Sequence, residues 1–377
     1  MSTSPYSGQA DAPLPAERPK AIVYCEANFG AIDGKTANGL VRNSERYEIA
    51  SVIDSRLAGQ DTGMVLDGVA NGIPLCRDLH DAMTQAGPTP DLFIVGVAPT
   101  SGLLSTAERG VLLDAMSHGL SLINGLHEFL NDDAEFAAAA VINNVEITDV
   151  RRPRAKVDLR MFNGSILGVT CPRIAILGTD GAIGKRTTAT ILTKALNDCG
   201  VKAVLVGTGQ TSLIQGARHG TALDAVPAQF VTGELEAAVV EAFHAESPDV
   251  IVVEGQGALS HPTYLSSTAI LRGSRPEAVI LQHAPARKTI SDFPTFAMPT
   301  PASEINLIET FAETQVIGLT INHENMTDSE VTAAITMYEL ELGIPVTDAL
   351  TRPTERLVSM VFAAFPDLEE KSTIVAR

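Results

Sequence analysis

The sequence has no tryptophan, and aromatic residues make up only 5% of its 377 positions. It therefore lacks the stacking platforms on which single-stranded nucleic acids are held. Positive charge is also scarce, with 27 Lys+Arg against 45 Asp+Glu and a formal charge of −18. Such a field repels phosphate backbones and anionic membranes, so neither nucleic acid nor a membrane is expected as a partner. The four cysteines, Cys25, Cys76, Cys171 and Cys199, are far apart and show no C-x-x-C spacing. They indicate no metal site and no disulfide framework, but buried free thiols in a reducing compartment. No apolar run approaches the roughly 18 residues that span a bilayer. Residues 1–20 are rich in Ser, Pro, Ala and Gly and lack the basic start and apolar stretch of a signal peptide, so they read as a short disordered arm on a cytoplasmic protein.

What is present describes a compact chain: 45% hydrophobic and 19% charged residues, long enough for two domains with separate cores. From Lys20 onward, short apolar runs alternate with helix-length amphipathic segments, the pattern of strand–helix–strand units in a parallel sheet. Strands are expected at Ala21–Cys25, Tyr47–Ile53, Leu92–Ala98 and Leu120–Asn124, helices at Lys35–Ser44 and Thr106–His118, and a helical turn at Leu126–Asn131. A second block begins at Arg173, with strands at Ile174–Leu177, Ala203–Val206, Val250–Val253, Ala278–Gln282 and Val316–Ile321 and a helix at Lys185–Cys199. The fold class is α/β with two doubly wound domains, placed at 21–165 and 166–377. Near their boundary, residues 151–160 carry five positive charges (Arg151, Arg152, Arg154, Lys156, Arg160) and one negative, Asp158. Such a run is either a solvated linker or a clamp for an anionic ligand.

The sharpest signal is the stretch from Gly178, Thr179, Asp180 and Gly181 to Gly184, Lys185, Arg186, Thr187 and Thr188, between a predicted strand and a predicted helix. Consecutive backbone N–H groups in such a loop, with the positive end of the helix dipole and a lysine at the rim, form a nest for phosphate. It departs from the usual P-loop in two ways: five residues separate Gly178 from Gly184, and Arg186 stands where a magnesium-binding Ser or Thr is expected. Two further loops are expected beside it, at the carboxyl ends of neighbouring strands, where open α/β sheets bind ligands. The first, Gly207-Thr-Gly-Gln-Thr211, offers Gln210. The second, Glu254-Gly-Gln-Gly-Ala-Leu-Ser-His-Pro262, offers Glu254, Gln256, Ser260 and His261 as acceptor, amide, hydroxyl and possible base. Asn322, at the end of the strand 316–321, occupies the place where related folds hold a purine. Arg218, Arg272, Arg275 and Arg287 are candidates for a substrate carboxylate. The turn from Asn28 to Thr36, with Gly34-Lys35, fits neither the P-loop nor G-x-G-x-x-G and reads as a tight β–α turn.

The loop Gly-Thr-Asp-x-x-x-Gly-Lys with Glu254-Gly-x-Gly on a later strand resembles dethiobiotin synthetase and its P-loop relatives, over the second half only. Nearly the whole chain is similar to an uncharacterised-domain family whose functionally assigned branch is the D-glutamate N-acetyltransferase of bacterial D-amino-acid catabolism. The segments that carry this resemblance are Phe29–Leu40, Ser44–Gly59, Gly125–Leu130, Asp149–Pro153, Gly178–Thr188, Gly207–Thr211 and Gly255–Pro262. It implies an N-terminal Rossmann-like domain, a C-terminal P-loop NTPase-like domain, acetyl-CoA as donor and D-glutamate as acceptor. It also implies a dehydrogenase of N-acetyl-D-amino acids as pathway partner. On that reading the loop 178–188 with Lys185 holds CoA phosphates, Arg218 or Arg275 holds the acceptor, and His261 or Glu254 is the base. Homo-oligomers are frequent among α/β enzymes of this kind. The alternatives are an ATP/Mg-dependent ligase or kinase of the dethiobiotin synthetase type and a nucleotide- or CoA-binding protein without turnover.

Overall fold

The computed structural model describes residues 18–87, 90–98 and 102–372. Residues 1–17 of the arm expected at 1–20 lie outside the described residues. The chain divides into two compact units, one reaching to Lys156 and including Gln210–Ala217, the other comprising Val157–Gly209 and the chain from Arg218 onward.

The first unit is built on a parallel sheet of six strands, β1 (Lys20–Tyr24), β2 (Glu48–Ile53), β3 (Leu75–Cys76), β4 (Leu92–Val95), β5 (Ser121–Asn124) and β6 (Ile147–Asp149). Their spatial order β3-β2-β1-β4-β5-β6 reverses direction at β1, the doubly wound arrangement. Apolar runs such as Ile22–Val23 and Phe93–Val95 are fully buried, because crossover helices cover both faces of a parallel sheet. Those helices are α1 (Lys35–Arg42), α2 (Thr62–Asp67), α3 (Leu79–Gln85), α4 (Thr106–Ser117) and α5 (Ala134–Asn143). Side-chain caps fix several of their starts: Asp61, Asp78 and Asp133 accept from first-turn amides. Ser105 and Glu108 form a capping box on α4. The helical turn expected at Leu126–Asn131 is a short 3-10 turn at Leu130–Asp132.

The second unit holds seven parallel strands in the order β15-β14-β11-β7-β10-β8-β9. In chain order they and their helices are β7 (Arg173–Gly178), α6 (Lys185–Asp198), β8 (Ala203–Gly207), α7 (Gln210–Gln215), β9 (His219–Gly220), α8 (Val231–Glu246), β10 (Val250–Glu254), α9 (Ser266–Ser274) and β11 (Ala278–His283). After a two-stranded hairpin, β12 (Thr289–Ile290) and β13 (Phe293–Ala297), come α10 (Pro301–Phe311), β14 (Gln315–Ile321), α11 (Asp328–Leu342), β15 (Val346–Thr347), α12 (Glu355–Ala364) and α13 (Pro366–Glu370). Alternate residues of β7 feed opposite cores: Ala175 and Leu177 pack with residues of α8 and α9, Ile174 and Ile176 with residues of α6 and α12. Helix α7 departs from this plan and packs within the first unit. Its Thr211 Oγ1 lies 2.9 Å from Thr36 Oγ1, and Gln215 donates to the carbonyls of Gly39 and Asn43, both at 2.7 Å. No helix among the described residues is long and apolar enough to cross a membrane.

Candidate active site

The strand-to-helix connection after β7 lies in the middle of the second sheet, with β10 and β11 on either side. Gly184, which starts α6, has φ of +103°, a conformation that side chains rarely adopt. The loop is braced from outside through its carbonyl groups. Lys185 Nζ donates to Asp180 O. Arg287 donates to Gly181 O at 3.0 Å and to Ala182 O at 3.1 Å, and Asn322 Nδ2 donates to Ile183 O at 3.1 Å. Donors on consecutive carbonyls polarise the N–H groups of the same peptides. The loop leads into the N-terminus of a 14-residue helix whose first two residues are Lys185 and Arg186, a setting in which backbone N–H groups favour an anion.

Asp180 is fully buried and belongs to the framework. Its Oδ2 accepts from Arg287 Nη1 and from Ser291 N, each at 3.0 Å, and Oδ1 accepts from Gly181 N at 2.7 Å. Arg287 is also paired with Glu324. Thr179 Oγ1 lies 2.8 Å from His283 Nδ1, and burial lowers the pKa of His283 to about 4. Thr188 Oγ1 donates to Gln282 Oε1 at 2.6 Å, where Thr320 also donates at 2.5 Å. The Thr188 hydroxyl is thus turned into the sheet. Thr187 lines a cleft with Ile183, Gly184, Asn322, Asp348 and Leu350.

Glu254 ends β10, the strand beside β7. Its Oε2 accepts from the amides of Thr208 (2.8 Å) and Gly209 (3.1 Å). Burial raises its pKa, and the charges of Arg186 and Lys185 pull in the opposite direction. Gln256 Nε2 donates to Thr208 O at 2.6 Å, so this amide positions the loop after β8. Ser260 Oγ donates to Glu304 Oε2 at 2.6 Å, and the amides of Leu259 and Ser260 donate to Glu304 Oε1 at 2.5 and 3.2 Å. His261 is 6% exposed and stacks on Tyr264 with ring centroids 4.2 Å apart.

The side chains of three expected substrate contacts have other neighbours. Gln210 opens helix α7 and is buried against Gly125 in the first unit, because the segment expected as a loop at 207–211 becomes helical at its end. Arg218 pairs with Glu246 at the end of α8, at 2.7 Å. Arg275 follows α9 and precedes β11, at the amino edge of the sheet, where it pairs with exposed Glu313. Three residues of the expected basic stretch likewise have acceptors within the protein. Buried Arg151 donates to Gly125 O, Arg152 pairs with Asp132 and Asp149, and Arg160 pairs with Glu234 and Glu241. Sequence reasoning missed Gln282, His283 and Glu304, which hold the site's loops from other elements. It read Arg287 as a possible substrate ligand, whereas the guanidinium clamps the loop itself.

Family models match the chain twice: a P-loop domain of unknown function, DUF1611, over residues 160–358, and its Rossmann-like companion, DUF1611_N, over 55–153. A protein named D-glutamate N-acetyltransferase from Tritonibacter scottomollicae is 30% identical over 278 residues, 72% of this chain and 81% of that protein. One of the same name from a Pseudoalteromonas species is 27% identical over 298 residues, 77% of this chain and 86% of that protein. The crystal structure of a DUF1611 family protein from Anabaena variabilis superposes with a TM-score of 0.85 at 28% identity, covering 92% of this chain and 100% of that one.

Proposed function

We propose, from the premise that this chain belongs to the DUF1611 family of Rossmann-like and P-loop domains, that it is an amino-acid N-acetyltransferase moving an acetyl group from acetyl-CoA to D-glutamate. The observation that carries the reading is the composition of the braced loop. It offers backbone N–H groups and two cations to a phosphate, while Arg186 stands in the metal slot and the Thr188 hydroxyl is bonded to Gln282. A guanidinium neutralises a diphosphate without magnesium. That suits the diphosphate of CoA, and the names of the two relatives supply the acceptor.

In this mechanism Lys185, Arg186 and the amides of the loop 178–188 hold the CoA phosphates. Glu254 is the base: it takes a proton from the substrate ammonium, and its burial raises its proton affinity toward that task. The freed amine adds to the thioester carbon, a C–N bond forms, the C–S bond breaks, and the thiolate leaves, taking up the second proton that the nitrogen sheds. Backbone N–H groups of the loops stabilise the oxyanion. The product, an N-acetyl-D-amino acid, passes to a dehydrogenase.

Thiol release from acetyl-CoA is expected with D-glutamate, in the presence of a chelator, and not with L-glutamate. Absence of thiol release with every amino acid offered would sink the reading. Magnesium-dependent ATP hydrolysis, abolished by Lys185→Ala, would replace it with the ligase or kinase.

A further inference from the structure

The two ring nitrogens of His261 have different surroundings. Nδ1 receives the backbone N–H groups of Thr263 and Tyr264, both at 3.2 Å. A nitrogen that accepts hydrogen bonds carries no proton, so the neutral ring holds its hydrogen on Nε2. Nε2 is buried, with no hydrogen-bond partner among the described residues. The ring stacks on Tyr264 and has Phe293 as a tilted neighbour, with centroids 4.2 and 5.9 Å away. Burial lowers its pKa, and the charged groups that act on it are Asp180, Asp292 and Lys185. Each of these is otherwise engaged: Asp180 by Arg287 and Ser291, Asp292 by the Tyr264 hydroxyl, and Lys185 by Asp180 O. A buried donor left without an acceptor is costly and demands an explanation.

We propose that His261 is a neutral hydrogen-bond donor to the ligand of this site through Nε2–H, and not a proton acceptor. The assignment of the tautomer stands on the two amide contacts alone. The identity of the acceptor rests on the acyl-transfer reading: it is the thioester carbonyl oxygen, which gains negative charge as the amine adds. Its negative charge then meets a fixed N–H dipole in a dry setting, the arrangement that stabilises an oxyanion most.

The test uses the full chain labelled with [15N]histidine, the His261 signals being those lost in His261→Gln. At pH 7 the long-range 1H–15N pattern is expected to show the Nε2–H tautomer; the Nδ1–H tautomer or an imidazolium overturns the proposal. Acetyl-CoA is expected to move the Nε2–H resonance. If acetyl-CoA raises the melting temperature but leaves that resonance in place, the donor serves a trapped water and the ligand assignment is wrong. If acetyl-CoA does not bind, the acyl-transfer reading fails while the tautomer result stands separately. In kinetics, His261→Gln keeps an amide N–H near Nε2 and should retain kcat within about 10-fold, with the acid limb of the pH profile unmoved. His261→Ala should lose about 100-fold, the usual cost of an oxyanion donor. Loss of the acid limb in His261→Gln, or a Gln variant as inactive as the Ala variant, would make His261 a base.

Discussion

The two sheets begin alike and diverge at the first turn. In each, a buried strand leads through a glycine turn to a helix that opens with Gly-Lys: Gly34-Lys35 before α1 and Gly184-Lys185 before α6. In each, the neighbouring strand ends in a buried acid, Asp54 after β2 and Glu254 on β10. The first turn closes on itself. Asn28 N, Ala31 N and Gly34 N donate to the carbonyls of Cys25, Asn28 and Ala31, and Asp54 Oδ2 accepts from Phe29 N at 3.0 Å. A Cβ on Gly34 would sit 2.1 Å from Asn28 O, so glycine there permits a close approach of the chain to itself. The second loop is gripped through its carbonyls by Arg287 and Asn322, and its Gly184 has a positive φ, as Gly30 has in the first turn. Its acid is bonded to the amides of a different loop, at 208–209, and faces Lys185 and Arg186. What separates the two turns is where the backbone N–H groups are used, not how many glycines they contain.

The largest effect that would break this contrast concerns the acids. Glu254→Gln should lower kcat about 1,000-fold, the range expected for loss of a general base, with little change in the KM for acetyl-CoA. Asp54→Asn should leave kcat within about twofold and lower stability by about 1–3 kcal/mol, the cost of disturbing a buried acceptor. Steady-state kinetics and urea unfolding on both variants decide it, and an inactive but stable Asp54→Asn would refute the contrast. The lysines come next. Lys185→Ala should raise the KM for acetyl-CoA about 100-fold, the value of a charge-assisted phosphate contact, while Lys35→Ala should leave it within about twofold. Equal effects would mean that both turns bind phosphate.

The smallest effect concerns pH. The second loop is tied to His283, whose pKa is lowered from 6.5 to about 4 by burial, and the first turn contains no histidine. A lowered value means that the unfolded chain takes up the proton first. The stability contributed by neutral His283 is therefore complete above about pH 6.5 and is lost as pH falls toward 4. Between pH 7 and 5.5 the native protein should lose about 1 kcal/mol more than His283→Asn in urea unfolding. Parallel losses would mean that His283 is not the source.

The loop 178–188 was legible because its signal is local: an apolar run, glycines, a lysine and a helix follow one another within a few residues. The strands at 174–177, 250–253, 278–282 and 316–321 were legible for the same reason, as short apolar runs between turns, and each matches an observed strand to within a residue at either end. Glu304 was not, since it lies 45 residues beyond Leu259 on helix α10 and looks in isolation like any acid on a helix. Arg287 read as a candidate for a substrate carboxylate because its partners, Asp180 and Glu324, are 107 and 37 residues away. The hairpin was hidden by Phe293-Pro294, where proline argues against a strand unless it lies at an edge. Gln210 was misplaced because Gly207-Thr-Gly-Gln has loop composition, while packing against Gly125 decides that the following residues are helical.

The grip on the carbonyls of residues 181–183 also bears on time. Arg287 and Asn322 belong to the segments after β11 and β14, so the loop's shape is set by the sheet before any anion arrives. A receptor already in its binding shape has no slow rearrangement to complete after encounter. The capture of an anion by this loop should therefore rise linearly with its concentration, without the plateau that an obligatory closing step would impose.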